Sequence, residues 1–329
     1  MSSENPKISK HFDAYPLKFI PILKERIWGG DKLKSLGKEI LADNVGESWE
    51  ISAVEGDVSI VKNGIYQGEK LDKLIDEYAE NIVGKRSLQH FGKDFPLLIK
   101  FLDAKTDLSI QLHPNDELAK ARHNSFGKTE MWYIMDAEPQ SRVILGFKEN
   151  SSAEEYLHHL KEKTLPTILQ EYPVSEGETY LIETGTIHAI GGGILLAEIQ
   201  QTSDITYRVY DWDRKDKAGN QRELHVDLAL DAIDYHKKEP KLLYESKPDA
   251  SAEVVKTQYF ITNYIELKKE LEIKHQGETF RIYICTAGEF NIHYSDKKME
   301  VKEGETILIP ADLTNFQLQG NAKILEVYI

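Results

Sequence analysis

Cysteine is almost absent from this chain: Cys285 is the single one in 329 residues. One thiol excludes an intrachain disulfide and any thiolate cluster for a metal, and it fits a reducing compartment. No apolar run approaches the roughly 18 residues that a membrane-crossing helix needs. The first seven residues, Met-Ser-Ser-Glu-Asn-Pro-Lys, lack the apolar stretch of a signal peptide. Positive charge is also short, with 41 Lys and Arg against 55 Asp and Glu, a net charge of −14. So acidic a chain is a poor partner for phosphate backbones or anionic lipid, although one local basic pocket for a small phosphate is compatible with it. Low-complexity segments and βαβ alternation are missing too, which argues against a parallel doubly wound sheet. The expectation is a cytoplasmic, globular protein of about two domains.

What is present is mainly strand pattern. Residues 46–52, 95–101, 130–135, 177–190 and 193–210 read as strands, the last two separated by Gly191-Gly-Gly193, which reads as a hairpin turn. Over 107–113, Leu108, Ile110 and Leu112 alternate with Asp107, Ser109, Gln111 and His113. Three- and four-residue spacing of Leu71, Leu74, Ile75, Tyr78 and Ile82 predicts a helix over 70–83, ended by Gly84. Further helices are predicted over 151–169, capped by Ser152, and over 223–235. Residues 237–252 read as a connection, and 257–329 as short strands. The resulting fold class is mainly β: two jelly-roll barrels with short helical insertions at about 65–92 and 151–170. The expected division is 1–240 and 241–329.

Gln111 and His113, two apart on a strand, share a face. Glu130 lies on the next strand candidate, and His188 in a third segment. Together they offer two imidazoles, a carboxylate and an amide oxygen, a mixed N/O set that suits zinc or another divalent first-row ion. Any one of eleven histidines taken singly is more simply a surface or core residue. Trp28, Trp49 and Trp132 could stack on a sugar or fill a core.

The spacing Gly177-x5-Glu183-x-Gly185-x2-His188 resembles the second cupin motif, with Glu183 where proline is usual. The first segment resembles the first cupin motif, with Gln111 in place of its leading histidine. A closer likeness lies in Phe95-Pro-Leu-Leu-Ile-Lys-Phe-Leu-Asp103, Leu108-Ser-Ile-Gln-Leu-His-Pro114, Gly127-Lys-Thr-Glu-Met-Trp132 and Gly185-Thr-Ile-His-Ala189. With Ile27-Trp-Gly-Gly30, residues 46–52 and the 196–208 segment, the chain resembles the type I mannose-6-phosphate isomerase family, in its short bacterial branch. The resemblance implies two cupin barrels and a zinc ion on Gln111, His113, Glu130 and His188. It implies a sugar-phosphate substrate converted through a cis-enediol. It also implies active-site roles for Arg208, Lys128 and Glu198, with Ser109 and Lys100 near the substrate. Thr129 stands where that family commonly has proline.

Elementary chemistry asks for the same parts: a Lewis acid for developing oxyanion charge, a base near C1 and C2, and a cation for the phosphate. Glu198 is the expected proton-transfer group, with a metal-bound water or Asp204 as alternatives. The competing reading of Arg208 is a surface ion pair with Asp211 or Asp213, and that of Lys128 a solvated turn lysine. The C-terminal region repeats the spacing template as Gly304, Pro310, Asp312 and Asn315, with Asn315 in the histidine position. It is expected to be a barrel without a metal. Two rival functions are a non-catalytic sugar-phosphate-binding regulatory homologue and an iron cupin oxygenase. The oligomeric state, monomer or homodimer, stays open.

Overall fold

A computed structural model describes residues 11–215 and 219–329; the polar N-terminal heptapeptide lies outside them. The chain is mainly β, and its helices are few and peripheral. One sheet of seven strands runs in the order Lys241–Leu242, Thr179–Ile182, Glu130–Ala137, Ile194–Gln201, Leu97–Ala104, Ile22–Gly30 and Val45–Ile51. A sheet of five faces it, in the order Leu169–Pro173, Arg142–Phe147, His188–Ile190, Ile110–Leu112 and Tyr207–Tyr210. Trp28, Leu102, Trp132 and Leu196 from the first pack against Val143, Leu145 and Ile190 from the second, closing one barrel.

A third sheet of eight strands builds the C-terminal barrel around Ile265, Cys285, Phe290, Ile307 and Ile324. Its outward residues Ile282, Ile284, Leu325 and Val327 pack against Phe101, Met131, Tyr133 and Ile199 of the seven-stranded sheet. Strand Leu97–Ala104 is therefore buried on both faces, which is why it reads as an unbroken apolar run. Two-residue strands stitch across: Leu17–Lys18 joins the C-terminal sheet through Leu308 and Ile307, and Lys241–Leu242 joins the seven-stranded one.

Several local expectations shift. The first helix runs Leu71–Phe91, past the expected end; Gly84 interrupts it rather than stopping it. There φ is +81°, and a Cβ would lie 2.5 Å from the Glu278 carbonyl of the C-terminal barrel, so only glycine lets the helix lean so close. The 151–169 helix is shorter, Ala153–Lys161 with Ser152 accepting from Glu155 N–H, and Pro166 opens a separate 3-10 turn. Between 223 and 235 only Val226–Ala229 is helical. The preceding backbone is drawn to the neighbouring strand, His225 N–H donating to Arg208 O at 2.7 Å. Gly191-Gly-Gly193 is not a hairpin turn: the strands it joins, His188–Ile190 and Ile194–Gln201, belong to different sheets.

Candidate metal and substrate site

Strand alternation aims Glu130, Trp132 and Ile134 into the first barrel and Met131, Tyr133 and Met135 out of it. On the adjacent strands Glu198 is paired directly with both Lys100 and Trp132, and Gln200 with Glu130. From the facing sheet, His188 and Gln111 are register partners. His113 lies one residue past Leu112, the end of its short strand.

Ligating atoms of His113, Glu130 and His188 all lie within 4.8 Å of one another, and all three residues are buried. His113 Nε2 is 3.5 Å from Glu130 Oε2, and His188 Nε2 is 3.6 Å from Glu130 Oε1. Each imidazole is oriented from behind: Nδ1 of His113 donates to Ile205 O at 2.8 Å and Nδ1 of His188 to Thr186 O at 2.9 Å. Both Nε2 lone pairs are thereby turned to the common point, as metal-ligating histidines require. Gln111 brings its amide within 3.4 Å of His188 Nε2, and half a turn of that amide presents Oε1.

Burial leaves both imidazoles neutral, the form that can ligate a metal. Burial, then repulsion from Lys128, holds the His113 imidazole well below its ordinary range; burial brings His188 down to about 4. Burial, then Glu198, raises the Glu130 carboxyl. The Lys128 ammonium meets this cluster, donating to Glu130 Oε2 at 2.6 Å and to His113 Nε2 at 3.1 Å. Its positive charge meets the Glu130 carboxylate from within the site. The donor set fits a metal: neutral imidazoles, one carboxylate and one amide, with sulfur absent.

Beside it a cavity of about 410 Å³ is lined by Gln111, His188, Lys128, Glu198, Arg208 and Arg222 among others. Lys100 donates to Glu198 Oε1 at 3.0 Å, and Trp132 Nε1–H to Oε2 at 3.2 Å. Burial opposes ionisation of Glu198, but Lys100 and Lys128 outweigh it, so its carboxyl titrates well below the usual range. Ser109 and Lys100, both buried, line the same cavity; Asp204 is exposed at its edge.

Arg208 also lines it, but by another route than expected. The strand carrying Glu198 ends at Gln201, and Arg208 lies on Tyr207–Tyr210 in the facing sheet. One alternation does not run from 198 to 208; the two residues meet across the barrel. The expected competitors of Arg208 are taken elsewhere, Asp211 by Arg214 and Arg222, Asp213 by Lys163. Arg208 donates to Ser109 Oγ at 3.3 Å and Glu223 O at 3.0 Å, and among the described residues it has no carboxylate partner. Lys128 is buried rather than a solvated turn residue.

Sequence reasoning missed Glu47, Arg26 and Arg222. Glu47 takes Arg26 through two hydrogen bonds of 2.9 and 3.0 Å and accepts Trp49 Nε1–H at 2.7 Å. The two-residue spacing of Glu47 and Trp49 was the available signal. In the C-terminal barrel Asn315 is exposed and paired with Lys274, not turned inward as its template position suggests. A larger cavity of about 460 Å³ borders that barrel, but its Lys18 and Lys38 are tied to Glu305 and Glu50, leaving no converging donor set.

Residues 17–156 match the phosphomannose isomerase type I catalytic domain, and 251–329 the mannose-6-phosphate isomerase cupin domain. The chain is 35% identical to mannose-6-phosphate isomerase ManA of Bacillus subtilis (strain 168), over 95% of this chain and 99% of the relative. It is 33% identical to the mannose-6-phosphate isomerase of Streptococcus mutans, over 95% and 98% respectively. The crystal structure of the Bacillus subtilis mannose 6-phosphate isomerase superposes with a TM-score of 0.88 at 33% identity, covering 96% of this chain and all of that one. A phosphomannose isomerase variant from Salmonella typhimurium, TM-score 0.80 at 18% identity over 95% and 99% of the two chains, shares the fold.

Proposed function

The chain belongs to the type I phosphomannose isomerase family, and from that membership we propose that it interconverts mannose 6-phosphate and fructose 6-phosphate. The cofactor of this reading is one zinc ion on Gln111, His113, Glu130 and His188. The observation that carries it is the convergence of two oriented imidazoles and Glu130 beside a cavity that also holds Arg208, with no carboxylate partner among the described residues. A divalent ion held there would supply Lewis acidity for developing oxyanion charge.

The chain's own residues do the rest. Arg208, with Ser109 against its Nε, is the anchor for the phosphate; a planar guanidinium can meet two phosphate oxygens at once. Arg222 lines the same cavity and adds positive charge there. Lys128, an ammonium inside the site, offsets negative charge that develops on the substrate oxygens of a cis-enediol. Glu198 is assigned the proton moved between C2 and C1. Lys100 and Trp132 fix its position, and Lys100 keeps it ionised and able to accept.

The test is metal analysis of the purified protein beside a coupled assay with mannose 6-phosphate. The expected result is one zinc per chain and activity that chelation abolishes and zinc restores. Activity that survives complete metal removal, or its absence from the zinc-loaded protein, overturns the reading.

A further inference from the structure

The segment 127–130, which delivers Lys128 and Glu130, is gripped from behind by a hydrogen-bond network that reaches the C-terminal barrel. Asp116, in the first turn of helix Asp116–His123, accepts Gly127 N–H through Oδ1 at 2.8 Å. The same oxygen accepts from Gln201 Nε2 at 3.1 Å. Gln201 in turn accepts Thr129 N–H through Oε1 at 2.8 Å, and its own N–H donates to Thr129 O at 3.1 Å. Both peptide N–H groups flanking Lys128 are thus tied, directly or through Gln201, to one carboxylate.

Asp116 is itself held. Its other oxygen, Oδ2, accepts the Tyr259 hydroxyl at 2.6 Å. Tyr259 stands at the turn between Ser251–Lys256 and Ile261–Leu267, two strands of the C-terminal sheet. That turn is fixed by Thr257, whose hydroxyl accepts from Tyr259 N–H at 3.1 Å and Phe260 N–H at 3.0 Å. Burial of Phe260 in the core between the barrels anchors the turn. Two sequence features acquire a reason. A Cβ on Gly127 would lie 2.8 Å from Asp116 N, so glycine permits the close approach. Thr129 supplies the N–H that Gln201 uses, which a proline would lack.

We propose that Tyr259, Asp116 and Gln201 are positioning residues for Lys128 and Glu130, and that the C-terminal barrel acts on the reaction through them. The inference rests on the proposed function, its kinetic arm on the isomerase reading and its zinc arm on the metal site. Lys128 bridges Glu130 and His113, so a small displacement of this segment changes both the metal donor set and the ammonium. Partners that orient metal ligands commonly matter by 10–100-fold in affinity or activity.

The experiment compares Tyr259→Phe, Gln201→Ala, Asp116→Ala and Asp116→Asn. Zinc affinity is measured by competition with a chromophoric chelator, and kcat and KM with mannose 6-phosphate. Asp116→Ala is expected to weaken zinc binding and lower kcat by about 10-fold or more each, with KM changed less. Asp116→Asn keeps one acceptor oxygen for Gly127 and Gln201 and is expected to recover most of both. Tyr259→Phe and Gln201→Ala are expected to fall between, on the same two readouts. Loss of thermal stability with zinc affinity and kcat within twofold of the parent overturns the proposal. If Asp116→Ala fails to fold, Tyr259→Phe, which deletes one hydroxyl, decides by the same criteria. An unaltered Tyr259→Phe beside an impaired Gln201→Ala overturns the role of the C-terminal barrel. A parent that binds zinc but does not turn over mannose 6-phosphate sinks the isomerase reading instead, and the zinc titration still tests the positioning network.

Discussion

Each barrel buries a glutamate in the middle of three paired strands. In the first, Glu198 stands between Lys100 and Trp132; in the second, Glu326 stands between Asn263 and Tyr283. Glu326 is saturated: Arg281 and Tyr283 donate to one oxygen at 2.6 and 2.7 Å, Ser251 and Asn263 to the other at 3.0 and 2.9 Å. The next row on the same face holds Ile265, Ile324 and Cys285. Glu198 has two donors and faces a cavity. A carboxylate whose lone pairs are all spent on its own protein holds strands together, whereas one left partly unspent beside open space can exchange a proton.

The sharpest way to break this contrast is to delete a proposed ligand from the first barrel and its template counterpart from the second. His188→Ala should abolish zinc binding and lower kcat by at least about 1000-fold. Asn315→Ala should leave zinc content and turnover as they were. A second stoichiometric metal near residues 280–320 would erase the distinction. Next in size is Arg208→Ala. It should cut kcat/KM by at least about 100-fold, roughly 2.7 kcal/mol of transition-state stabilisation, with zinc content retained. Near-normal turnover, or zinc lost together with the fold, would remove the phosphate role.

Lys100→Met sharpens the comparison through pH. Lys100 lowers the Glu198 pKa, so its removal raises it. If Glu198 must be ionised, the acid limb of kcat should move to higher pH. An acid limb that stays in place excludes Glu198 as the group titrating there. The smallest effect on turnover is expected from Glu326→Gln. It should cost on the order of 2 kcal/mol in denaturant unfolding by unbalancing Arg281, with kcat unchanged.

The part of the candidate site whose residues are neighbours in sequence was legible. Gln111 and His113 are two residues apart, as are Lys128 and Glu130, and a strand turns such pairs to one side. Strand Leu97–Ala104 was legible from its unbroken apolar run. Partners brought together by folding were not. Nothing near Asp116 announces Tyr259, 143 residues away. Arg208 and Glu198 sit only ten positions apart, yet the chain changes sheets between them. The 223–235 helix failed for a related reason: its pattern is amphipathic, but the backbone before Val226 is claimed by the strand of Arg208. Tertiary pairing outranked local preference.

The short strand Leu17–Lys18 has a temporal consequence. Lys18 bonds Glu305 across a separation of 287 residues, and its backbone pairs with Ile307. On a ribosome adding about 5–20 residues per second, Lys18 is made at least about 14 seconds before its partner. The first barrel can close meanwhile, because its strands all precede residue 243. The C-terminal sheet cannot receive Leu17 until Thr306–Ile309 has been made. Its pairing is therefore a late seal on a long-range contact, and until it forms the edge of Thr306–Ile309 stands open to other chains.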